Sequence, residues 1–171
     1  MIHIYCGDGK GKTTAAMGLA LRCAGSGRRA LVLQFLKDGS SSELGPLAQG
    51  TGVEVIPQTR TFGFTWTLSP QELEEARRYY GGLLEAAWEK ARGGGYGLLV
   101  LDEALGACGA GLIDESRLLE LLDGAPEGLE VVLTGRGPSQ VLLDRADYVT
   151  EMRKVKHPFD RGVTARKGIE Y

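Results

Sequence analysis

Asparagine is absent from all 171 residues, a bias shared with thermophile proteins, which use fewer thermolabile amides. Cysteine is nearly absent as well. Cys6, Cys23 and Cys108 lie far apart and form no C-x-x-C pair, which argues against a disulfide framework and against a zinc site. No apolar run approaches the roughly 20 residues of a membrane span, and no signal-peptide pattern opens the chain. The first expected strand already starts at residue 2, so nothing is left over for a targeting segment and the expected compartment is the cytoplasm. Neither sign of charge dominates: a net charge of −2 gives no global argument for nucleic acid or an anionic membrane as partner. What is present is 43% apolar and 25% charged residues, a balance that supports a packed core rather than disorder. Residues 1–171 are expected to form one domain, burying roughly 70% of the extended-chain surface.

Strands are expected at residues 2–6, 30–36, 53–57, 98–102, 130–134 and 148–155. Runs such as Leu98-Leu99-Val100-Leu101 suit parallel strands covered on both faces. Helices fall between them. The clearest opens at Ser69-Pro70-Gln71-Glu72, with Ser69 as N-cap, Pro70 at the first helical position and Glu72 closing a capping box. Leu73, Ala76, Tyr80, Leu83, Ala87 and Ala91 recur at helical spacing, while Gly81-Gly82 should weaken the middle. Asp114 can cap a shorter helix through Leu122, and Pro138 opens another through about Ala146. Strands alternating with helices predict a three-layer α/β/α fold around a mostly parallel central sheet of about six strands. Two segments, 37–52 and 59–68, have the length of functional loops.

The most informative stretch is Gly7-Asp8-Gly9-Lys10-Gly11-Lys12-Thr13-Thr14. A strand precedes it, and Ala15-Ala16-Met17-Gly18-Leu19-Ala20-Leu21-Arg22 follows as a helix. A glycine-rich turn there aims several backbone N–H groups at one spot, and the helix dipole adds partial positive charge, which makes a phosphate site. Lys12 would reach the distal phosphates and the Thr13 hydroxyl would sit on a Mg²⁺ ion, Mn²⁺ being a possible substitute. The standard P-loop spacing wants glycine five residues before Gly11, and that position is Cys6. The regular expression fails while the strand–loop–helix context holds. Cys6 itself reads as a small buried residue at a strand end rather than a reactive thiol.

A second apolar strand ends in Asp102-Glu103, where a phosphate-loop protein places the acid that completes the magnesium shell. A hard cation that keeps several waters needs only Thr13 plus one of these acids, and spacing does not choose between them. Capping of a following helix is the alternative use of the two carboxylates. Arg136, in Leu133-Thr134-Gly135-Arg136-Gly137, stands at the strand edge where ligands bind; it is either a phosphate clamp or a solvated loop residue. No Asn-Lys-x-Asp guanine-recognition motif exists, and Gly11-Lys12 leads into a helix rather than the second strand of a kinase Gly-rich loop. The residues themselves lead to a Mg²⁺–nucleotide enzyme without naming the acceptor.

The ordered set of motifs resembles the ATP:corrinoid adenosyltransferases. The pieces are the phosphate loop through Ala16, Gln34-Phe35-Leu36-Lys37, Gly63-Phe64-Thr65-Trp66, Val100-Leu101-Asp102-Glu103, Leu133-Thr134-Gly135-Arg136-Gly137, Val155-Lys156-His157-Pro158-Phe159-Asp160-Arg161-Gly162 and Lys167-Gly168-Ile169-Glu170-Tyr171. That family's phosphate loop also lacks the first glycine. Two departures stand out. Family members often carry a polar extension before the first strand, and Asp8 occupies a place where an amide also occurs.

The resemblance implies transfer of the 5′-deoxyadenosyl group of Mg-ATP to the Co(I) centre of a reduced corrinoid, cob(I)alamin or a precursor, with triphosphate leaving. The loop, Lys12, Mg²⁺ and Arg136 would stabilise the leaving charge. Phe64 and Trp66 would bind the corrin, an aromatic excluding the lower axial ligand so that Co(II) is reduced more easily. Their alternative use is to pack the loop down. A flavoprotein or other low-potential reductase and a homodimer are further implications. His157 is expected to be a tail contact or exposed, and His3 a strand residue with no role. The basic excess of Lys154, Lys156, Arg161, Arg166 and Lys167 either meets phosphates or a reductase, or is a solvated tail. Two other functions compete: a phosphate-loop ATPase or small-molecule kinase with Glu103 activating water or an acceptor, and a nucleotide-dependent module that carries corrinoid without chemistry.

Overall fold

Alternation along the strands decides the layering. The computed structural model describes residues 1–37, 39 and 41–170; within the segments named above, residues 38, 40 and 171 lie outside the described residues. Six strands, β1 (Ile2–Cys6), β2 (Arg29–Gln34), β3 (Val53–Val55), β4 (Tyr96–Asp102), β5 (Glu130–Thr134) and β6 (Tyr148–Glu151), form one sheet in the order β3-β2-β4-β5-β1-β6. Every neighbouring pair is parallel. Ala30, Val32, Leu98, Val100 and Val132 face Ala16, Met17 and Ala20 of helix α1 (Lys12–Gly25). Their chain neighbours Leu31, Leu33, Leu99, Leu101, Val131 and Leu133 belong to the larger cluster on the other face. There they meet α3 (Pro70–Gly93), α4 (Ala104–Gly109) and α5 (Glu115–Asp123). Two shorter helices, α2 (Leu44–Ala48) and α6 (Gln140–Arg145), complete the α/β/α sandwich. Truncating a central leucine such as Leu99, fully buried, costs about 2–5 kcal/mol.

Register brings the strand ends level. Leu33 pairs with Leu101, and Leu101 with Leu133. The next residue along each strand is polar: Gln34, Asp102 and Thr134. Ligand edges of parallel sheets lie at these C-terminal ends.

Several boundaries differ from expectation. The sheet is wholly parallel rather than mostly so. β2 stops at Gln34 because Leu36 takes a left-handed conformation, φ 58°. β3 is assigned only to Val55, although Ile56 N–H still donates to Val32 O at 2.8 Å. β6 stops at Glu151, since residues from Met152 on leave the sheet to cross the phosphate loop. The capping box of α3 is present as expected, with Glu72 N–H donating to Ser69 Oγ and Ser69 N–H to Glu72 Oε2. Gly81-Gly82 do not interrupt α3, because Tyr80, Leu84, Ala87 and Trp88 bury its face on both sides of them. The N-cap of α6 is Ser139, which accepts from Leu142 N–H, rather than a start at Pro138.

Candidate active site

The phosphate loop begins where β1 ends. Gly7 and Gly11 have φ of 102° and 116°, and a Cβ on Gly7 or Gly9 would lie 2.5 or 2.6 Å from Met152 O, so only glycine fits between the loop and the crossing segment. Gly9 N–H donates to Met152 O at 2.6 Å, and Met152 N–H donates to Cys6 O at 2.8 Å. Asp8 turns outward and accepts from Lys154 N–H at 3.0 Å, a bond that holds its carboxyl below the ordinary range. A carboxylate so close to bound phosphates would repel them, and the outward turn of Asp8 avoids that. Gly11 is the N-cap of α1, followed by Lys12, Thr13 and Thr14 in its first turn.

Lys12 is buried, and its Nζ donates to Gly7 O at 2.7 Å and Gly9 O at 2.8 Å, closing the loop on itself. Burial, followed by the charge of Arg136, lowers its pKa. Arg136 is exposed, and its charge reaches Lys12, Asp8 and Glu103. Lys10 faces the same cavity as Thr13 and Thr14.

Asp102 is the hub. Its Oδ1 accepts from Thr13 Oγ1 at 2.9 Å and from Thr134 Oγ1 at 2.6 Å. Oδ2 accepts from Gln34 Nε2 at 3.1 Å and Lys37 Nζ at 2.9 Å. The carboxylate is completely buried, so these donors replace water that an acceptor-only group would otherwise need. Glu103 holds φ 59°, and its backbone N–H donates to Thr134 Oγ1 at 2.9 Å. It stands at the N-cap position of α4 without any side-chain capping bond, so neither carboxylate caps that helix. Burial raises the Glu103 pKa, Asp102 adds to the rise, and Lys37, Lys12 and Arg136 oppose it.

Among the described residues no group of three or more His, Cys, Asp and Glu gathers as a metal site. A hard, hydrated cation needs less: Thr13 Oγ1 and the acids at Asp102-Glu103 are oxygen donors of the kind magnesium takes with several waters. Two observations fit a cation there. Lys37 Nζ, itself a cation, lies 3.2 Å from Thr13 Oγ1 and 2.9 Å from Asp102 Oδ2. Among the described residues Gln34 Oε1 is buried without a partner, an acceptor open to an ion-bound water.

Lys10, Thr13, Thr14 and Lys37 line a cavity of about 1260 Å³. Phe64 and Trp66 line it, stacked on each other with centroids 4.5 Å apart, and they are 68% and 79% exposed. Packing the loop down falls instead to Phe62, whose ring lies 5.6 and 5.7 Å from those of Tyr79 and Tyr80. Gly168, Ile169 and Glu170 close the cavity from the C-terminal segment. His157 lies outside the cavity lining; its Nδ1 accepts from Phe159 N–H. His3 pairs with Glu130 and stacks on Tyr148. Burial raises the Cys6 thiol and pushes Cys108 up to about 12, so neither is a ready thiolate.

Sequence reasoning gave no role to Gln34, Lys37, Thr134 or Met152. The first and third were visible as polar residues closing apolar parallel strands, the same signal that marked Asp102. Met152 had no such mark, because its backbone rather than its side chain does the work.

A family model described as ATP:corrinoid adenosyltransferase BtuR/CobO/CobP matches residues 1–171. The corrinoid adenosyltransferase of Pseudomonas aeruginosa is 34% identical over 175 residues, covering 100% of this chain and 83% of that one. Corrinoid adenosyltransferase CobA of Salmonella typhimurium is 35% identical over 175 residues, covering 100% and 85%. A KaiC-like protein from Pyrococcus horikoshii OT3 superposes with a TM-score of 0.49 at 15% identity, over 91% of this chain and 72% of that one. With its motifs in family order and the match running end to end, the chain belongs to the ATP:corrinoid adenosyltransferases.

Proposed function

We propose that residues 1–171 work as one cytoplasmic domain that moves the 5′-deoxyadenosyl group of ATP to the Co(I) of a reduced corrinoid. The cobalt electron pair attacks C5′ of the ribose, a Co–C bond forms, the C5′–O5′ bond breaks, and both its electrons leave with triphosphate. The observation that carries this reading is one cavity with two chemistries. Lys10, Thr13 and Thr14 of the phosphate loop line it, with the buried Asp102 carboxylate behind Thr13, and the exposed stack of Phe64 and Trp66 lines it too.

Residues 7–14 cradle the triphosphate, with Lys12 and Arg136 stabilising the charge that grows on it as it departs. Thr13 and Asp102 hold Mg²⁺, or Mn²⁺ in its place, with Glu103 beside them; when bound, the ion spreads positive charge over the phosphate oxygens. Asp102 is the nearer of the two acids, because it already contacts Thr13 Oγ1. Phe64 and Trp66 face the corrin and keep a lower axial ligand from cobalt, which eases reduction of Co(II). No protein side chain acts as nucleophile, so the chain contributes position and electrostatics. A low-potential flavoprotein as electron donor and a homodimer complete the reading.

Incubating the chain anaerobically with ATP and chemically reduced cob(I)alamin tests it. Inorganic triphosphate together with a light-sensitive Co–C bond is expected. A second reading, a phosphate-loop ATPase or kinase, draws on Glu103, whose burial-raised pKa suits a general base. ADP and phosphate formed without corrinoid would favour it.

A further inference from the structure

Lys37 lies where a divalent ion belongs. Its ammonium touches both Thr13 Oγ1 and Asp102 Oδ2, at 3.2 and 2.9 Å, and it is 29% exposed at the cavity wall. The residue before it, Leu36, is held at φ 58°. A branched apolar side chain is strained in that conformation, so other contacts hold the turn. The ion pair of Lys37 with Asp102 is one such contact. Asp102 in turn would be a wholly buried carboxylate with hydroxyl and amide donors only, were Lys37 removed.

We infer that Lys37 is a displaceable internal cation, which keeps the metal position filled until nucleotide and metal arrive together. The inference rests on the assignment of Thr13 and Asp102 to the divalent ion. A free ion entering alone must evict the ammonium from the wholly buried Asp102 carboxylate toward the cavity's more exposed Glu43 or toward Glu170, which Arg166 already pairs, so it binds weakly. An ion entering with triphosphate brings a polyanion, and the evicted ammonium has new acceptors within reach of its flexible stem. Lys37 thereby couples metal binding to nucleotide binding, and it is delivered to the leaving group as a further positive charge. Lys12 does not stand at the metal position, since its Nζ contacts Gly7 O and Gly9 O instead.

The test is Mn²⁺ binding to the full chain without corrinoid, with free ion counted by electron paramagnetic resonance and bound ion by water proton relaxation. Without nucleotide, Lys37→Met should bind Mn²⁺ at least about tenfold more tightly than wild type, since one like charge has left the site. The enhancement of Mn²⁺ affinity by ATP should shrink by a similar factor. Lys37→Arg, which keeps the charge, should stay near wild type. Equal or weaker Mn²⁺ binding by folded Lys37→Met overturns the inference. So does a wild-type affinity for Mn²⁺ that ATP leaves unchanged, a result that needs no variant. Asp102→Asn separates the two levels. If it spares Mn²⁺–ATP binding, the metal assignment fails and the inference with it. If it abolishes that binding while Lys37→Met tightens nothing, Lys37 alone has been misread.

Discussion

Glu103 combines a left-handed backbone, burial and a like-charged neighbour, and each of these opposes the folded, ionised form. Its pKa is raised above the ordinary 4.5, so folding favours its protonated state. The sign follows from proton linkage. Below the unfolded pKa the group is protonated in both states and the chain keeps its full stability. As pH climbs through the raised folded value, ionisation penalises the native state and stability falls. Glu103→Gln should therefore melt higher than wild type at about pH 8, with the gap closing near pH 4; calorimetry at both values reads it, and a gap independent of pH contradicts it. Phe64 and Trp66 present the opposite case. Both are mostly exposed and touch chiefly each other, so the double variant Phe64→Ala, Trp66→Ala should shift stability by no more than about 0.5 kcal/mol. Turnover starting from cob(II)alamin should fail, whereas turnover of chemically reduced cob(I)alamin should survive in part. Unchanged rates with both oxidation states would remove the axial-ligand role.

At the scale of elements, α3 shows how tertiary burial outweighs local propensity. Two adjacent glycines in a 24-residue helix weaken it by about 1 kcal/mol each relative to alanine, yet the helix runs through. Six residues of its buried face are fixed against the sheet, and Phe62 locks the preceding loop onto Tyr79 and Tyr80. The space beside Gly82 is open, with nothing within 4 Å of an added Cβ. Gly82→Ala should accordingly raise unfolding free energy by about 0.5–1 kcal/mol, measured by urea titration with an unchanged slope. A loss of stability would contradict the open space at this position. The strands were the more legible elements, because β-branched and leucine runs bounded by glycine carry their own boundaries. β1 and β5 match their expected limits residue for residue. Where limits moved, the cause was non-local. β6 ends early because its continuation is claimed by the phosphate loop, and β2 ends early because Leu36 turns Lys37 back toward Asp102. No window of sequence a dozen residues wide contains either partner.

Across the whole molecule, the chain's two ends are fastened at the site. The phosphate loop follows the first strand, and the segment that leaves the last strand lies on top of it, through Gly9 to Met152 and Asp8 to Lys154. That segment then returns to form one wall of the cavity with Gly168, Ile169 and Glu170. The motifs at each end were readable separately; their contact was not, because it joins Gly9 to Met152 through backbone atoms and the Asp8 carboxylate to the Lys154 N–H, 146 residues away. The tail contributes little to the core, since no described apolar residue beyond Leu142 is buried. Contact and core therefore come apart experimentally. Gly9→Ala drives a Cβ into Met152 O and should lower both melting temperature and ATP affinity, the stability loss being about 1–3 kcal/mol as in other overpacked sites. Ending the chain after Arg153 keeps the Met152 clamp and removes, among the described residues, only exposed or half-buried ones, so the loss should be about 1 kcal/mol, the scale of a hydrogen bond or two. Adenosyl transfer by the shortened chain should fall far more than its stability does, because a cavity wall has gone. Calorimetry and the transfer assay on the two variants decide the matter: parallel losses in the shortened chain would make the tail a stabilising strap, and a folded, inactive protein would make it part of the site.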